Sequence, residues 1–328
     1  MAELNILEAI RRAMDEELAA DERVMVMGED VGRKGGVFGA TDGLWAKYGD
    51  KRVLDTPLSE GLIAGAAMGA ALYGLRPIAE MQFADFVYPA FNQIVSEIAR
   101  MRFRSNGAFG VPMVIRMPYG GGVHGALYHS QSNEAYFTST VGLKVVAPGT
   151  PADAYGLLKA SVRDPDPVMF FEHKKTYRLF KAEVPDDGDD VVPIGSAVVA
   201  RPGTGLSIYC YGYMRYCALE AAETLAGEGI DAEVVDLRTL RPLDTETVLA
   251  SVAKTGRALV IHEANGFGGF GGEVASLIAE HGFDSLDAPV TRLSGPEVPG
   301  VPYQHDLEEW FMLNPERIAE AARRLAAF

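Results

Sequence analysis

Four stretches hold residue types that could do chemistry. In "DTPLSEGLIAGAAMGAALYG", Ser59 can cap a helix and Glu60 then falls in its first turn, where the helix dipole favours a carboxylate. The helix that follows carries Gly61, Ala64, Gly65, Ala66, Ala67, Gly69, Ala70 and Ala71, more small residues than a surface helix needs. Such a helix can approach another backbone closely, and a carboxylate beside that contact would lose water and become a useful proton donor or acceptor. "AEMQFADFVYPAFNQ" places Gln82, Phe86 and Tyr88 where a strand gives way to a helix, the usual edge of an α/β ligand crevice. "MPYGGGVHGALYHSQSNEAYF" holds His124 and His129 in a mobile glycine-rich loop, suited to general acid or base work or to contact with an incoming substrate. Their spacing is not a metal-ligand pattern, and Glu134 adds little to it. The fourth stretch, "NGFGGFGGEVASLIAEHG", contains G-x-G-x-x-G at Gly266, Gly268 and Gly271.

That last pattern fails on context. A dinucleotide fingerprint needs its first glycine at the strand-to-helix turn and an acid at the end of the following strand. Here "HEAN" separates the strand from Gly266, and the next strand, "APVTRLSG", ends in Arg292 and Ser294. The glycines are expected to form a flexible surface loop.

The elements that must position these residues alternate between helix and strand. "LNILEAIRRAMDEELAAD" puts Leu4, Leu7, Ile10, Met14 and Leu18 on one helical face, and "RVMVMG" follows as a buried-type strand. Further strands are expected at "RPIAEM", "PMVIRM", "LKVVAP" and "PVMFFE", with helices at Ser59–Tyr73, Tyr88–Arg104 and Pro151–Arg163. "KAEVPDDGDDVVP" is acidic, punctuated by Gly and Pro, and without periodicity, so a boundary is expected there, giving domains 1–185 and 186–328. "SAVVAR", "LSIYCYG", "AEVVDLRT", "RALVIHE" and "PVTRLSG" supply the strands of the second. The fold class is α/β, with two mostly parallel, doubly wound sheets.

Composition narrows the function classes. A chain of 328 residues with 48% hydrophobic and 23% charged residues has room for two globular cores. The longest apolar run, Leu62–Leu75, is short of a bilayer span. The opening "MAELNILEAIRRAMDEE" has neither a signal-peptide core nor an acid-poor transit pattern, which points to the cytoplasm. Cys210 and Cys217 alone support no disulfide framework or multi-cysteine zinc site. A net charge of -15 disfavours nucleic acid and anionic membrane as partners and favours basic proteins.

Taken in order, "GEDVGRKGGVF", "DTPLSEG", "AEMQFADFVYPAFNQ", "GGGVHGALYHSQSNEAYF", "GLKVVAPGTPADAYGLLKASVRDPDPVMFFEHKKTYR" and "AEVVDLRTLRPLD" resemble the β subunit of the thiamine-diphosphate-dependent 2-oxo acid dehydrogenases, over nearly the whole chain. "QFADF" and "HGALYHSQS" are more similar to branched-chain and broad-specificity members than to pyruvate-specific ones. The C-terminal "HEANGFGGFGG" and "SGPEVPGVPYQHDLEEWF" follow the family pattern only loosely.

The resemblance implies a transketolase-like pyrimidine-binding domain followed by a transketolase C-terminal domain. It gives Glu60 the role of the carboxylate on the cofactor's aminopyrimidine ring, promoting the imino tautomer that deprotonates the thiazolium carbon. Phe86 matches the aromatic face on that ring, often Tyr in the family, and Leu58 and Gln82 line the same pocket. His129 matches the histidine that assists acyl transfer to the lipoyl group of the acyltransferase component. The G-D-G motif of single-chain thiamine enzymes is absent, since "DGDD" at Asp187 runs in the wrong order. The resemblance therefore implies magnesium ligands and the diphosphate end on an α subunit, in a two-α, two-β tetramer. It also implies a potassium site of mostly backbone carbonyls at Val111, Met113, Val114, Ser161, Asp164 and Asp166, where Asp166 replaces a common Asn. Other readings are the β subunit of an acetoin-cleaving dehydrogenase and a non-catalytic scaffold subunit, the latter having no need of Glu60, Phe86 and His129 together.

Overall fold

The computed structural model describes residues 2–185 and 190–328, so the expected boundary after residue 185 and the "DGDD" run up to Asp189 lie outside the described residues. Two compact units emerge, one of residues 1–119 with 136–194, the other of 120–135 with 195–328. The histidine-bearing segment 120–135 thus groups with the C-terminal unit, a placement that one cut in the chain does not express.

In the first unit six strands run parallel in the order Lys144–Val146, Val168–His173, Val114–Tyr119, Arg76–Glu80, Val24–Gly28, Val53–Asp55. Val24 to Gly28 are all buried, as an apolar run covered on both faces requires. Helices Ile6–Ala20 and Pro151–Arg163 share a core with Val24, Val26, Ile78, Val114, Val168 and Phe170. Each such aliphatic side chain taken from water contributes about 1.5–3 kcal/mol.

Two local expectations need correction, and one strand carries no sequence signal. Leu4 is not helical: Asn5 and Glu8 form a capping box that starts the helix at Ile6, and Leu4 pairs in a short antiparallel strand with Ala182. Tyr88–Arg104 is not one helix but a 3-10 turn at Tyr88–Ala90, a π-helical stretch at Gln93–Ile98 and an α-turn at Met101–Arg104. Pro89 cannot donate a backbone bond, and the Ala99 amide reaches back five residues to the Ile94 carbonyl, which widens the turn. The strand Val53–Asp55, with Val53 alone buried, is too short to show a period.

The second unit orders its strands Thr291–Gly295, Ala258–Asn265, Leu206–Cys210, Ala232–Asp236, Val198–Arg201, the last antiparallel and the rest parallel. Helices Met214–Ala226 and Pro315–Ala326 pack over Leu206, Ile208, Val234, Leu259 and Ile261. Both cysteines are buried and unlinked. Among the described residues no helix is long and apolar enough to cross a membrane.

Candidate active site

Register brings three strand ends of the first sheet level. Gly28 pairs with Asp55 on one side and with Glu80 on the other, and Glu80 pairs with Arg116. The residues just past those ends, Glu29, Thr56 to Glu60 and Met81 to Phe86, therefore share one edge of the sheet, where open parallel sheets bind ligands. Glu60 opens the helix Glu60–Leu72 and is half-buried. Ser59 holds the N-cap position, yet at φ −167° and ψ 91° its side chain makes no capping bond, contrary to its expected role.

Gln82 Nε2 donates to the Glu29 carbonyl at 3.5 Å. Burial, then the negative charges of Asp30 and Glu60, push the Glu29 carboxyl above its ordinary value. Glu29 thus belongs to the same edge as Glu60 and Gln82, and little in the sequence marks it beyond an acid pair after a strand. Phe86 meets Phe83 edge-on, with centroids 5.3 Å apart, and Phe83 meets Phe38 at 5.4 Å. Phe86 is half-buried and Tyr88 exposed, so neither is a core aromatic. Leu58 is 73% exposed at the same edge.

The small residues of the Glu60–Leu72 helix divide into two sets. A Cβ at Gly61 would lie 3.2 Å from the Pro89 carbonyl, so the helix start packs closely on the Tyr88–Ala90 turn. Among the described residues nothing beyond the helix's own backbone lies within 4 Å of a Cβ at Gly65 or Gly69, and with Leu62 and Ala66 they form an exposed, weakly polar face.

Beneath this edge lies a charged cluster that sequence reasoning missed. Arg116 is 1% exposed, donating to Glu172 through Nε (2.6 Å) and Nη2 (2.9 Å) and to Glu80 through Nη1 (2.8 Å). The Tyr177 hydroxyl donates to the same Glu172 at 2.7 Å. Burial raises the Glu80 carboxyl despite the arginine, and burial followed by the Glu172 charge lifts the Tyr177 phenol well above its usual range. Burial alone would lower the Arg116 guanidinium, but the Glu172 and Glu80 charges outweigh it and keep it charged. The signal was available: "VIRM", "IAEM" and "FFEH" each put one charge into a run that is otherwise apolar.

In the second unit the loop 120–135 is pinned by buried side chains from distant parts of the chain. Gly121 N (2.7 Å) and Ser132 Oγ (2.9 Å) both donate to one oxygen of Glu263. The Tyr211 hydroxyl donates to Glu134 at 2.5 Å, and burial raises the Glu134 carboxyl. Glu134, discounted as a ligand, is thus a structural anchor. His129 Nδ1 lies 3.2 Å from the Gly125 carbonyl, just after the turn Ala126–Tyr128.

The glycine-rich stretch folds down on His262, a fully buried residue of the Ala258–Asn265 strand. A Cβ at Gly269 would lie 2.4 Å from His262 Nε2, and one at Gly271 2.6 Å from Nδ1. Asn265 to Gly268 are open to solvent in part or whole, while Gly269, Phe270 and Gly271 are buried. The base of the loop is packed core, not the free surface loop expected, because the imidazole occupies the space that side chains at Gly269 and Gly271 would need.

Comparison with known proteins agrees with this two-part build. The transketolase pyrimidine-binding domain matches residues 2–179, and the transketolase C-terminal domain matches residues 195–318. The chain belongs to the transketolase-like family. It is 56% identical to the 2-oxoisovalerate dehydrogenase subunit beta of Bacillus subtilis, over the full length of both chains. It is 46% identical to the same-named subunit of Pseudomonas aeruginosa, covering 98% of this chain and 95% of that one, and 46% identical to the pyruvate dehydrogenase E1 component subunit beta of Bacillus subtilis, covering all of both. A solved chain described as split gene transketolase, inactive beta4 tetramer, superposes with a TM-score of 0.79 over 99% of each chain at 24% identity, a likeness of fold.

The family's pyrimidine-binding domain takes in Leu58, Glu60, Gln82 and Phe86, and by sequence also the loop 120–135, which by contacts sits in the second unit. Of the residues assigned to potassium, Val111, Met113, Val114 and Ser161 are buried. The Asp164 carboxylate takes Lys144 Nζ at 2.5 Å, Asp166 takes Arg102, and Arg76 donates to the Val162 and Asp164 carbonyls. Among the described residues, one group of three His, Asp or Glu side chains converges as a metal site would, His305, Asp306 and Glu309, all of them exposed.

Proposed function

We propose that this chain is the β subunit of a 2-oxo acid dehydrogenase component, which decarboxylates a branched-chain 2-oxo acid or pyruvate and passes the acyl group to a lipoyl group of an acyltransferase. The observation that carries the reading is the register that levels the strand ends just before Glu29, the Thr56–Glu60 turn and the Met81–Phe86 segment, with Gln82 bonded to the Glu29 carbonyl and the Glu60 charge acting on Glu29. The full-length likeness to named β subunits supports it, and 56% against 46% identity favours the branched-chain substrate.

A carboxylate, an amide and a half-buried aromatic ring at one edge fit an aminopyrimidine cofactor. Glu60 would hold a proton on a ring nitrogen, Gln82 and Phe86 would orient the ring, and Leu58 would exclude water from it. Thiamine diphosphate, when bound, supplies the electron sink for loss of carbon dioxide. Burial, then the negative charges of Asp30 and Glu60, hold the Glu29 carboxyl above its ordinary value at the same edge. With Nδ1 of His129 donating to Gly125, Nε2 is the nitrogen that would hand a proton to the sulfur released when the lipoyl disulfide takes the acyl group on its other sulfur and its S–S bond breaks. The diphosphate and its magnesium would be held by an α subunit, in a two-α, two-β tetramer in the cytoplasm. Potassium would have to use main-chain carbonyls at Val111, Met113, Val114, Ser161, Asp164 and Asp166, since the two aspartate side chains are already paired.

The test is 2-oxo acid decarboxylation with thiamine diphosphate and magnesium, comparing the chain alone, the chain with its α partner, and Glu60→Gln in the pair. Activity is expected in the wild-type pair alone, falling by about two orders of magnitude in the variant. Activity of the lone chain, or a variant within about threefold of wild type, would overturn the reading; rates with 2-oxoisovalerate and pyruvate rank the substrates.

A further inference from the structure

The C-terminal stretch "VPYQHDLEEWF", where the family pattern is followed loosely, forms the short helix His305–Phe311. His305 and Glu308 are three residues apart and so share a face. Glu308 is 2% exposed, and its carboxylate is spent on the histidine loop of the same unit. Oε1 accepts from Gly122 N at 2.9 Å and His124 N at 3.1 Å, while Oε2 lies 2.6 Å from His124 Nδ1. The His305 ring stacks on His124, centroids 4.9 Å apart and planes 26° from parallel.

The loop needs such a grip. His124 and Ala126 adopt φ of 56° and 55°, the left-handed region that side chains other than glycine disfavour, so neighbouring contacts must hold them there. This strained turn fixes where Gly125 points its carbonyl, and that carbonyl is the group His129 Nδ1 bonds. No Lys or Arg lies within ion-pair distance of Glu308 among the described residues: the side chain set against its carboxylate is the imidazole of His124.

We infer that Glu308, assisted by His305, is a positioning residue that clamps the turn at His124 and thereby sets the ring of His129 for acyl transfer. The inference rests on the reading of His129 given above. Its test uses the assembled α and β subunits and reads two rates: decarboxylation with an artificial electron acceptor, and acyl transfer to an isolated lipoyl domain. Glu308→Ala should lower the ratio of transfer to decarboxylation about tenfold, in kcat more than in the KM for the lipoyl domain, since a misplaced group loses rate before it loses binding. Glu308→Gln, which keeps an acceptor for the two amides, should recover part of that loss, and exposed Glu246→Gln, outside the clamp, should change neither rate.

If both rates fall in step, or if the ratio is unchanged, Glu308 is merely structural and the inference is overturned. His129→Ala is run beside it. A lowered ratio there with none in Glu308→Ala overturns the clamp alone; an unchanged ratio in His129→Ala overturns the reading of His129, and the clamp with it. Should Glu308→Ala not assemble, Glu308→Gln decides: a ratio lowered by about threefold supports the clamp and an unchanged one overturns it.

Discussion

Each unit sets a buried polar group under the carboxyl ends of its parallel strands, but the two groups differ in charge and in what lies above them. In the first, Arg116 joins Glu80 and Glu172 in a cluster of one cation and two carboxylates, with Tyr177 satisfying a further lone pair. The loops beyond carry Glu29, Glu60 and Gln82 at an accessible edge. In the second, His262 is a single neutral imidazole, held near pKa about 4 by burial, and the glycine loop comes down onto its ring. A charged cluster must be complete to be tolerated at all, so it fixes its strands and leaves the loops above free to serve a ligand. A lone imidazole can be covered directly by backbone. The G-x-G-x-x-G spacing that elsewhere lets a pyrophosphate approach here lets a histidine ring do so, and what fills the space a Cβ would take tells the two apart.

The sharpest way to break this contrast is to remove the cation. Arg116→Met keeps the length and apolar stem of the side chain but leaves the buried Glu80 and Glu172 facing each other without their cation, with the Tyr177 hydroxyl still donating to Glu172. A loss of about 3–5 kcal/mol is expected in urea unfolding of the isolated chain. A loss below about 1 kcal/mol would mean that the two carboxylates are not both charged in the native protein, and the first unit would then resemble the second.

How much of this was legible in the sequence follows from the range over which each feature is determined. Glu60 in a first turn, the strand runs of both sheets and the Pro151–Arg163 helix rest on residues within one or two turns of each other, and they stand where the pattern puts them. Gln82 and Phe86 were singled out by their place where a strand gives way to a helix, Leu58 only through family resemblance, and register explains why the three share an edge. Glu29, Arg116 and Glu308 were not legible because each acts on a partner far along the chain, at separations of 53, 56 and 186 residues in the cited bonds. The middle case is instructive: a lone charge inside "VIRM" announces that a partner exists but not which residue it is. For Tyr88–Arg104 the apolar period was real, but a proline and a five-residue backbone bond interrupt the helix it implied.

The neutral side of the comparison can be sharpened by pH. The unfolded chain takes up a proton on His262 near its ordinary 6.5, whereas the folded protein refuses it until pKa about 4, because burial and then the nearby Arg292 charge disfavour the cation, against a bond to the Asn265 carbonyl. Between those values the unfolded state binds more protons, so stability rises with pH across the window. The contribution is fully present above about pH 6.5 and is lost as pH falls toward 4, by about 3 kcal/mol. Stability of wild type minus that of His262→Gln, measured by urea unfolding from pH 7 to pH 4, should shrink by that amount. A flat difference would show that the histidine is charged or solvated in the folded protein.

The smallest expected effect bears on the glycines themselves. An alanine at position 271 would put its Cβ 2.6 Å from His262 Nδ1, and Gly271 opens the Gly271–His281 helix, so the methyl can be relieved only by moving the ring or the helix start. Overpacking of that kind costs about 1–3 kcal/mol. Gly268→Ala makes the useful partner: nothing lies within 4 Å of its Cβ, and the cost there comes from φ of 69° alone, about 1 kcal/mol. If the pattern were a nucleotide cradle, both variants would weaken binding of a dinucleotide to the wild-type protein; packing on His262 predicts no such binding to weaken, measurable by calorimetry with NAD. It also predicts that Gly271→Ala combined with His262→Ala is less destabilised than the sum of the single changes, because the ring that the methyl strikes is gone.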